Sequence, residues 1–195
     1  MTGFLLEGKE RLEAIQTIRA FHYTHTVPSG KSHYIAFGDA LVVWSIPANK
    51  NIANFLLGKE ASCWELSRLW APDGHDRNLL TRAISAAVGI LNAIERPAVL
   101  VSYADPNVGH EGFVYRAASW VHHGKSEEVR SYQHPDGRIA ARRAFHSGKK
   151  GMTKGQIESA GWVEVKLPGK IRFVKPISRF AKKKLAQKIY TLGDF

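Results

Sequence analysis

A chain of 195 residues, 44% hydrophobic and 10% aromatic, holds one core of ordinary size and is too apolar for a disordered protein. Its longest apolar runs reach about ten residues, too short to cross a bilayer, and its single cysteine, Cys63, excludes an internal disulfide. The net charge of +11 is unevenly placed: residues 1–137 hold 13 Lys/Arg against 14 Asp/Glu, whereas residues 138–188 hold 15 against 2. A basic segment mixed with glycine and aromatics is expected to meet a polyanion, where contact with phosphates releases counterions. Cys63 is expected as a small buried residue in a reducing cytosol. The start, MTGFLLEGKERLEAI, has charges directly after a very short apolar patch, unlike a secretory signal.

In chain order, Leu12, Ile15 and Ile18 recur at three-residue intervals, which predicts an amphipathic helix over 8–20. Phe21 to Gly30 follows as a loop broken by Pro28 and Ser29-Gly30. It carries His22, Tyr23 and His25, and it is placed to form a substrate-binding lip. Ser32–Phe37 and Ala40–Ile46 read as antiparallel strands about a Gly38-Asp39 turn, with a short helical turn over 51–58. Ala61–Ala71 alternates as a strand, with Cys63, Glu65, Ser67 and Leu69 on one side and Trp64, Leu66, Arg68 and Trp70 on the other. A carboxylate inside such a strand either pairs with an arginine or sits in a cleft as a base or ligand.

Arg77 to Ile94 is the strongest helix signal, with Asp76 expected as its N-cap. The amino end of such a helix presents free N–H groups suited to a phosphate. The strand 98–103 then feeds a polar turn, Asp105-Pro106-Asn107-Val108-Gly109, and a helix expected over His110–Trp120. The stretch gathers Ser102, Tyr103, Asp105, Asn107, His110 and Tyr115, and ligands of α/β proteins bind outside the carboxyl ends of strands. Val121–Lys125, Glu127–Gln133, Arg138–Phe145, Trp162–Lys166 and Lys170–Lys175 are expected as strands, His146–Gly155 as a basic loop, and 176–190 as a basic helix. The composition divides the chain into a core over 1–137 and a basic β/α segment over 138–195.

The order of elements resembles the GNAT acyltransferase fold: a mixed, mostly antiparallel α/β sheet flanked by helices. That resemblance implies a splay between the fourth and fifth strands for the pantetheine arm of an acyl-CoA. It also implies a tyrosine, here Tyr115, that protonates the leaving group, Glu65 as a base acting through water, and Asn107 and Asn78 near the cofactor. The family's glycine-rich loop before the long helix is replaced by Pro72-Asp73-Gly74-His75-Asp76, a poor lining for a pyrophosphate.

A closer resemblance rests on His22-Tyr23, Glu65-Leu66-Ser67-Arg68-Leu69-Trp70, Ser102-Tyr103-Ala104-Asp105-Pro106, Gly109-His110-Glu111-Gly112 and Tyr115-Arg116-Ala117. In this order they are similar to phage DNA-modification proteins of the Mom type. The resemblance implies conversion of the adenine exocyclic amine to a carbamoylmethyl form that protects phage DNA from host restriction. It implies duplex DNA as partner and the host bacterial cytoplasm as location, and leaves the oligomeric state open, a homodimer included. The implied catalytic residues are Tyr115, Asp105, Ser102, Glu65 and Tyr103. Substrate and DNA would be held by His22, Tyr23, Arg68, Arg142, Arg143, Lys149, Lys150 and Lys154. The family often has Lys-His-Arg-Tyr in its last strand, where this chain has Lys170-Ile171-Arg172-Phe173.

The group donor is not named by the sequence. Acyl-CoA follows from the fold resemblance, and iron is the alternative if His22, His110, Glu65 and Asp105 gather into a facial-triad-like metal site. Two other functions stay open at this point: a conventional GNAT N-acyltransferase acting on a small-molecule or protein amine, and a non-catalytic basic DNA-binding protein.

Overall fold

The computed structural model describes residues 2–142, 145 and 151–191. A short strand β1 (Phe4–Leu5) precedes helix α1 (Gly8–Phe21), the hairpin β2 (Ser32–Phe37) and β3 (Ala40–Ser45), helix α2 (Ile52–Leu57) and strand β4 (Cys63–Trp70). Helix α3 (Leu79–Glu95), strand β5 (Val99–Ala104), a 3-10 turn (Pro106–Val108) and helix α4 (Phe113–Ala117) follow. Then come β6 (Val121–Lys125), β7 (Val129–Gln133), β8 (Ile139–Ala141), α5 (Lys154–Ser159), β9 (Val163–Leu167), β10 (Ile171–Pro176) and α6 (Arg179–Thr191).

The main sheet has the order β1-β2-β3-β4-β5-β10-β6. β1 to β4 are antiparallel neighbours, and β4 and β5 are parallel. A parallel pair needs a crossover, and α3 provides it. This is the mixed, mostly antiparallel α/β sheet with flanking helices, the GNAT-like architecture expected from the element order. A second sheet, β8-β7-β9, is antiparallel.

Helices cover the main sheet on both faces, so β2 and β3 are buried almost throughout rather than alternately. α3 packs on β2 and β3 and buries Leu79, Ala83, Ile84, Ala87 and Leu91. These residues fall on one side at the helical repeat, and each large one contributes roughly 1.5–3 kcal/mol by leaving water. α1 covers the other face with Ala14 and Ile18, joined by Ile15, against Tyr34, Ala36 and Val43. Of the expected stripe Ile15 and Ile18 face the core with Ala14, and Leu12 lies outside it at 59% exposure. α2 and α6 complete that face by closing Leu56, Leu57, Ala181 and Leu185 over Cys63, Val99 and Val101.

Three local expectations are corrected. α3 begins two residues late, and its cap position is Asn78 in the left-handed region at φ 66°, with no side-chain cap bond. Asp76 contributes only its backbone carbonyl, to Leu79 N. The helix expected over 110–120 shrinks to α4, because Gly112 enters it at φ 79° and Ser119 turns out of it at φ 60°. The strands on either side of Leu167-Pro168-Gly169 separate: β9 joins β7, while β10 enters the main sheet between β5 and β6.

The chain divides into two compact units, and not at residue 137. One comprises Met1–Tyr103, Gly112–His123 and Arg172–Phe195, the other Ala104–Glu111 and Gly124–Ile171. The physical reason lies in β10 and α6, whose Phe173, Val174, Ala181 and Leu185 are fully or almost fully buried. The basic C-terminal segment is thus partly core, and Lys182, Lys183 and Lys184 keep its charge on the exposed side of α6. Among the described residues, no helix is long and apolar enough to cross a membrane.

Candidate active site

The site is built on β4 and β5. Their parallel register runs Cys63↔Val99, Trp64↔Leu100, Glu65↔Val101 and Leu66↔Ser102. Past that point β4 continues to Trp70 beside β3, while β5 continues to Ala104. At the last paired position the Ser102 hydroxyl donates to the Leu66 carbonyl at 2.8 Å, so a side chain holds the two strands where their ladder ends.

A bulge in β4 sets what faces this opening. Val43 pairs with Arg68 and Trp44 with Leu66, leaving Ser67 as the extra residue, its hydroxyl donating to the Val43 carbonyl at 3.1 Å. Simple alternation puts Glu65 and Arg68 on opposite sides. The bulge shifts the count by one, so both share a side with Val43 and Ser45, and through Val101 with Tyr103. Ser102 lies on the other side with Leu66, Trp64 and Trp44.

Tyr115 comes to that second side from α4. Its ring packs between Trp120, at 5.7 Å, and Phe173, at 5.2 Å, and its phenol lies beside the Ser102 hydroxyl. Burial pushes the Tyr115 phenol up to about 12, the nearby Ser102 hydroxyl opposes this, and the negative potential of Tyr23 and Glu65 reinforces it. Tyr115 therefore keeps its proton at neutral pH and is electrostatically coupled to Glu65 and Tyr23 on the far side of the opening.

Tyr103 is half-buried on the Glu65 side. Burial raises its phenol, and a hydrogen bond from Arg172 works against that. Arg172 also donates to the His123 carbonyl at 3.3 Å and lies 4.9 Å from the Phe55 ring centre. Cys63, behind Glu65, has its thiol raised to about 12 by burial, with the Glu65 charge second. It is an inert buried residue, as its sequence context suggested.

The lip is ordered by polar bonds. Arg68 Nε donates to the Thr26 carbonyl at 2.8 Å and its guanidinium reaches Thr26 Oγ1 at 3.0 Å. His22 Nδ1 accepts from Thr24 N at 3.2 Å, and His25 Nδ1 bonds the Arg19 carbonyl at 3.0 Å. Arg68 thus anchors the lip, and Tyr23 remains 40% exposed on it.

Asp105 and Asn107 belong to the second unit. Asp105 accepts from Asn107 N, Asn107 Nδ2 and Lys170 Nζ, at 3.1, 2.9 and 2.9 Å. Burial raises its carboxyl, but the bonds from Lys170 and Asn107 outweigh burial and hold it below the usual value. Its oxygens organise the turn after β5. Lys154 starts α5 and pairs with Glu158 at 3.6 Å, and Arg142 is exposed. Arg143, Lys149 and Lys150 lie outside the described residues. The iron reading is corrected: among the described residues no three of His, Cys, Asp and Glu gather as a metal site, and His22 and His110 belong to different units.

The pairing of the two strands ends at Leu66↔Ser102, near where the fold resemblance expects the arm of an acyl-CoA. The loop before α3 suits its pyrophosphate poorly: Asp73 and Asp76 are exposed beside one glycine and one arginine, Arg77, and Asn78 leaves the helix end without a side-chain cap.

Compared with known proteins, residues 4–191 match the model of the Mom protein family. The chain belongs to the Mom protein family. Membership supports phage DNA modification as its broad role and transferase as its class. No curated protein matches the chain. Among solved structures, it is similar to an acetyltransferase from Bacillus subtilis in complex with CoA, at 7% identity and a TM-score of 0.46, over 91% of this chain and 99% of that one.

Two residues of this Mom-family site escaped assignment from sequence, Arg172 and Phe173. They stand about seventy residues from Tyr103, and only the insertion of β10 beside β5 brings them in. The signal was the last-strand motif of the family, where Arg172 keeps the basic position and Phe173 the aromatic one.

Proposed function

We propose that this Mom-family protein converts adenine in duplex DNA to its N6-carbamoylmethyl form, which protects phage DNA from host restriction, and that the reaction takes place where β4 and β5 part. The observation that carries the reading is the neutral, buried Tyr115 packed between Trp120 and Phe173 at that opening, in a chain whose family membership points to DNA modification.

The N6 amine is a poor nucleophile because its lone pair is delocalised into the ring, so positioning and proton removal must supply reactivity. The N6 nitrogen attacks the methylene carbon of a carbamoylmethyl donor, and the bond from that carbon to its leaving atom breaks. Glu65 takes the amine proton. Tyr115 donates a hydrogen bond to the charge developing on the leaving atom, and transfers its proton outright only to a strongly basic one, given its pKa of about 12. Glu65 then gives up its proton to solvent, and where Tyr115 has transferred its own, solvent replaces it. No step depends on CoA.

The adenine must first leave the helix stack, at a cost of a few kcal/mol that stacking on aromatic side chains offsets. Tyr23 and Tyr103 border the opening and supply such faces. Exposed Lys182–Lys184, with Arg142 and Lys154, supply phosphate contacts that give affinity without sequence information.

Nucleosides from cells expressing the protein, separated by mass, test this reading. A carbamoylmethyl adenine supports it. Unmodified adenine, together with acetyl-CoA turnover on free amines by the purified protein, would replace it with a conventional N-acyltransferase. Glu65→Gln should abolish modification and leave duplex binding and its salt dependence within about twofold.

A further inference from the structure

The second unit contains a cavity of about 250 Å³ that the reaction above does not use. Val108, Val129, Ile139, Leu167 and Pro168 give it aliphatic walls. Its polar edge is formed by Asp105, Asn107, Ser131 and Lys170. Val129, Ser131, Ile139 and Leu167 share one face of the β8-β7-β9 sheet, since Val129 pairs with Leu167 and Gln133 with Ile139. Val129 and Ile139 keep 43% and 48% of their surface exposed, although the opposite face of this sheet buries Tyr132.

The edge is rigid. Lys170 Nζ pairs with Asp105 Oδ2 at 2.9 Å, and Asn107 Nδ2 donates both to Asp105 and, at 3.3 Å, to the Pro168 carbonyl. Lys170 N in turn donates to Ser126 Oγ at 2.9 Å. A side chain at Gly169 would run into the Ser126 carbonyl, which fixes the wall at that point. Ser131 is 4% exposed and lines the cavity, so its hydroxyl is on hand to bond a ligand seated there.

The chemistry of that edge selects the ligand. Asp105 already neutralises Lys170, so a bare anion gains little there, and the aliphatic walls disfavour a strongly hydrated ion. Lys170 has two further N–H groups and Ser131 an O–H, while Asn107 uses both amide protons internally and leaves its carbonyl to accept. Donors and an acceptor side by side match the edge of a neutral amide-bearing ring, and the volume suits one or two rings between aliphatic walls. We propose that this cavity is a subsite for one neutral nucleobase. It extends the DNA reading by giving a second base of the strand a seat on the turn that leaves β5, yet its test runs on free nucleosides and does not depend on modification.

The four deoxynucleosides are titrated against the full-length protein by saturation-transfer NMR, with inorganic phosphate as the competing ion. At least one nucleoside should bind with millimolar affinity, change less than twofold between 50 and 300 mM salt, and persist in excess phosphate. Ser131→Val, close in shape, should weaken it about fivefold to tenfold by removing one hydrogen bond, and Ile139→Trp should abolish it by filling the cavity. Circular dichroism checks that both variants fold. Competition by phosphate, strong salt dependence, binding unchanged in both folded variants, or no nucleoside binding would each overturn the proposal. Absence of modified adenine in cells with nucleoside binding intact would remove the DNA-modification reading and leave the subsite standing.

Discussion

Ser102 and Leu66 are joined by a 2.8 Å hydrogen bond at the last paired position of β4 and β5, with the Tyr115 phenol beside the same hydroxyl. Ser102 is fully buried, so Ser102→Ala strands the Leu66 carbonyl away from water. A cost of about 1–3 kcal/mol follows from one such loss. Thermal melting should show that drop, and modification of DNA should fall at least tenfold in the variant at temperatures where it is folded.

Alkaline pH should unfold the protein through Tyr115 and Cys63. Both have folded-state pKa values raised to about 12, from 10.0 and 9.0. Their contribution is complete below the unfolded values and is lost as pH rises through the window from 9 to 12, because the unfolded chain releases those protons first. The Tyr115 part alone is on the order of 3 kcal/mol. Denaturant midpoints measured from pH 8 to 11 should decline, and Tyr115→Phe should flatten the decline above pH 10. An equal slope in both proteins would show that Tyr115 is not buried as described.

Arg68 holds the lip through Thr26. Arg68→Met should loosen residues 22–27 and leave β4 in place. Limited proteolysis should then cut within that loop at least several-fold faster, and modification should fall while duplex affinity changes less than twofold. A large loss of DNA affinity would instead assign Arg68 to phosphate contact.

Gly109 and Gly112 both have φ near 76–79°, but only Gly112 has a neighbour in the way: a Cβ there would run into the Phe173 ring, and at Gly109 it would meet open space. Gly109→Ala should cost about 1 kcal/mol of backbone strain. Gly112→Ala adds overpacking of about 1–3 kcal/mol and displaces the ring against which Tyr115 packs. Denaturant titration of the pair separates the two effects.

Much of the main sheet was legible in the sequence because its signals are local. Gly38-Asp39 marks the β2–β3 turn, the apolar run 98–103 marks β5, and α3 carries its own stripe. What was not legible depends on non-local pairing. The bulge at Ser67, which puts Glu65 and Arg68 on one side, is visible only in the β3–β4 register. The place of β10 between β5 and β6 decides that the basic segment is partly core, and the count of charges argued the reverse. The site followed the same rule. Tyr115, Ser102, Glu65 and Asp105 came from one family pattern, and the bonds that Asp105 makes to Lys170 and Asn107 in the turn after β5 were not legible in it.

The central claim is that adenine is modified at the opening that Tyr115 faces. Phenylalanine at position 115 keeps the ring between Trp120 and Phe173 and removes only the hydroxyl. Nucleoside mass spectrometry on DNA from cells expressing wild-type or Tyr115→Phe protein at matched soluble levels is the direct measurement. N6-carbamoylmethyl adenine in the first and at least a hundredfold less in the second is the predicted result. Equal modification by both proteins would contradict the role of Tyr115, and unmodified adenine with the wild type would contradict the reaction itself.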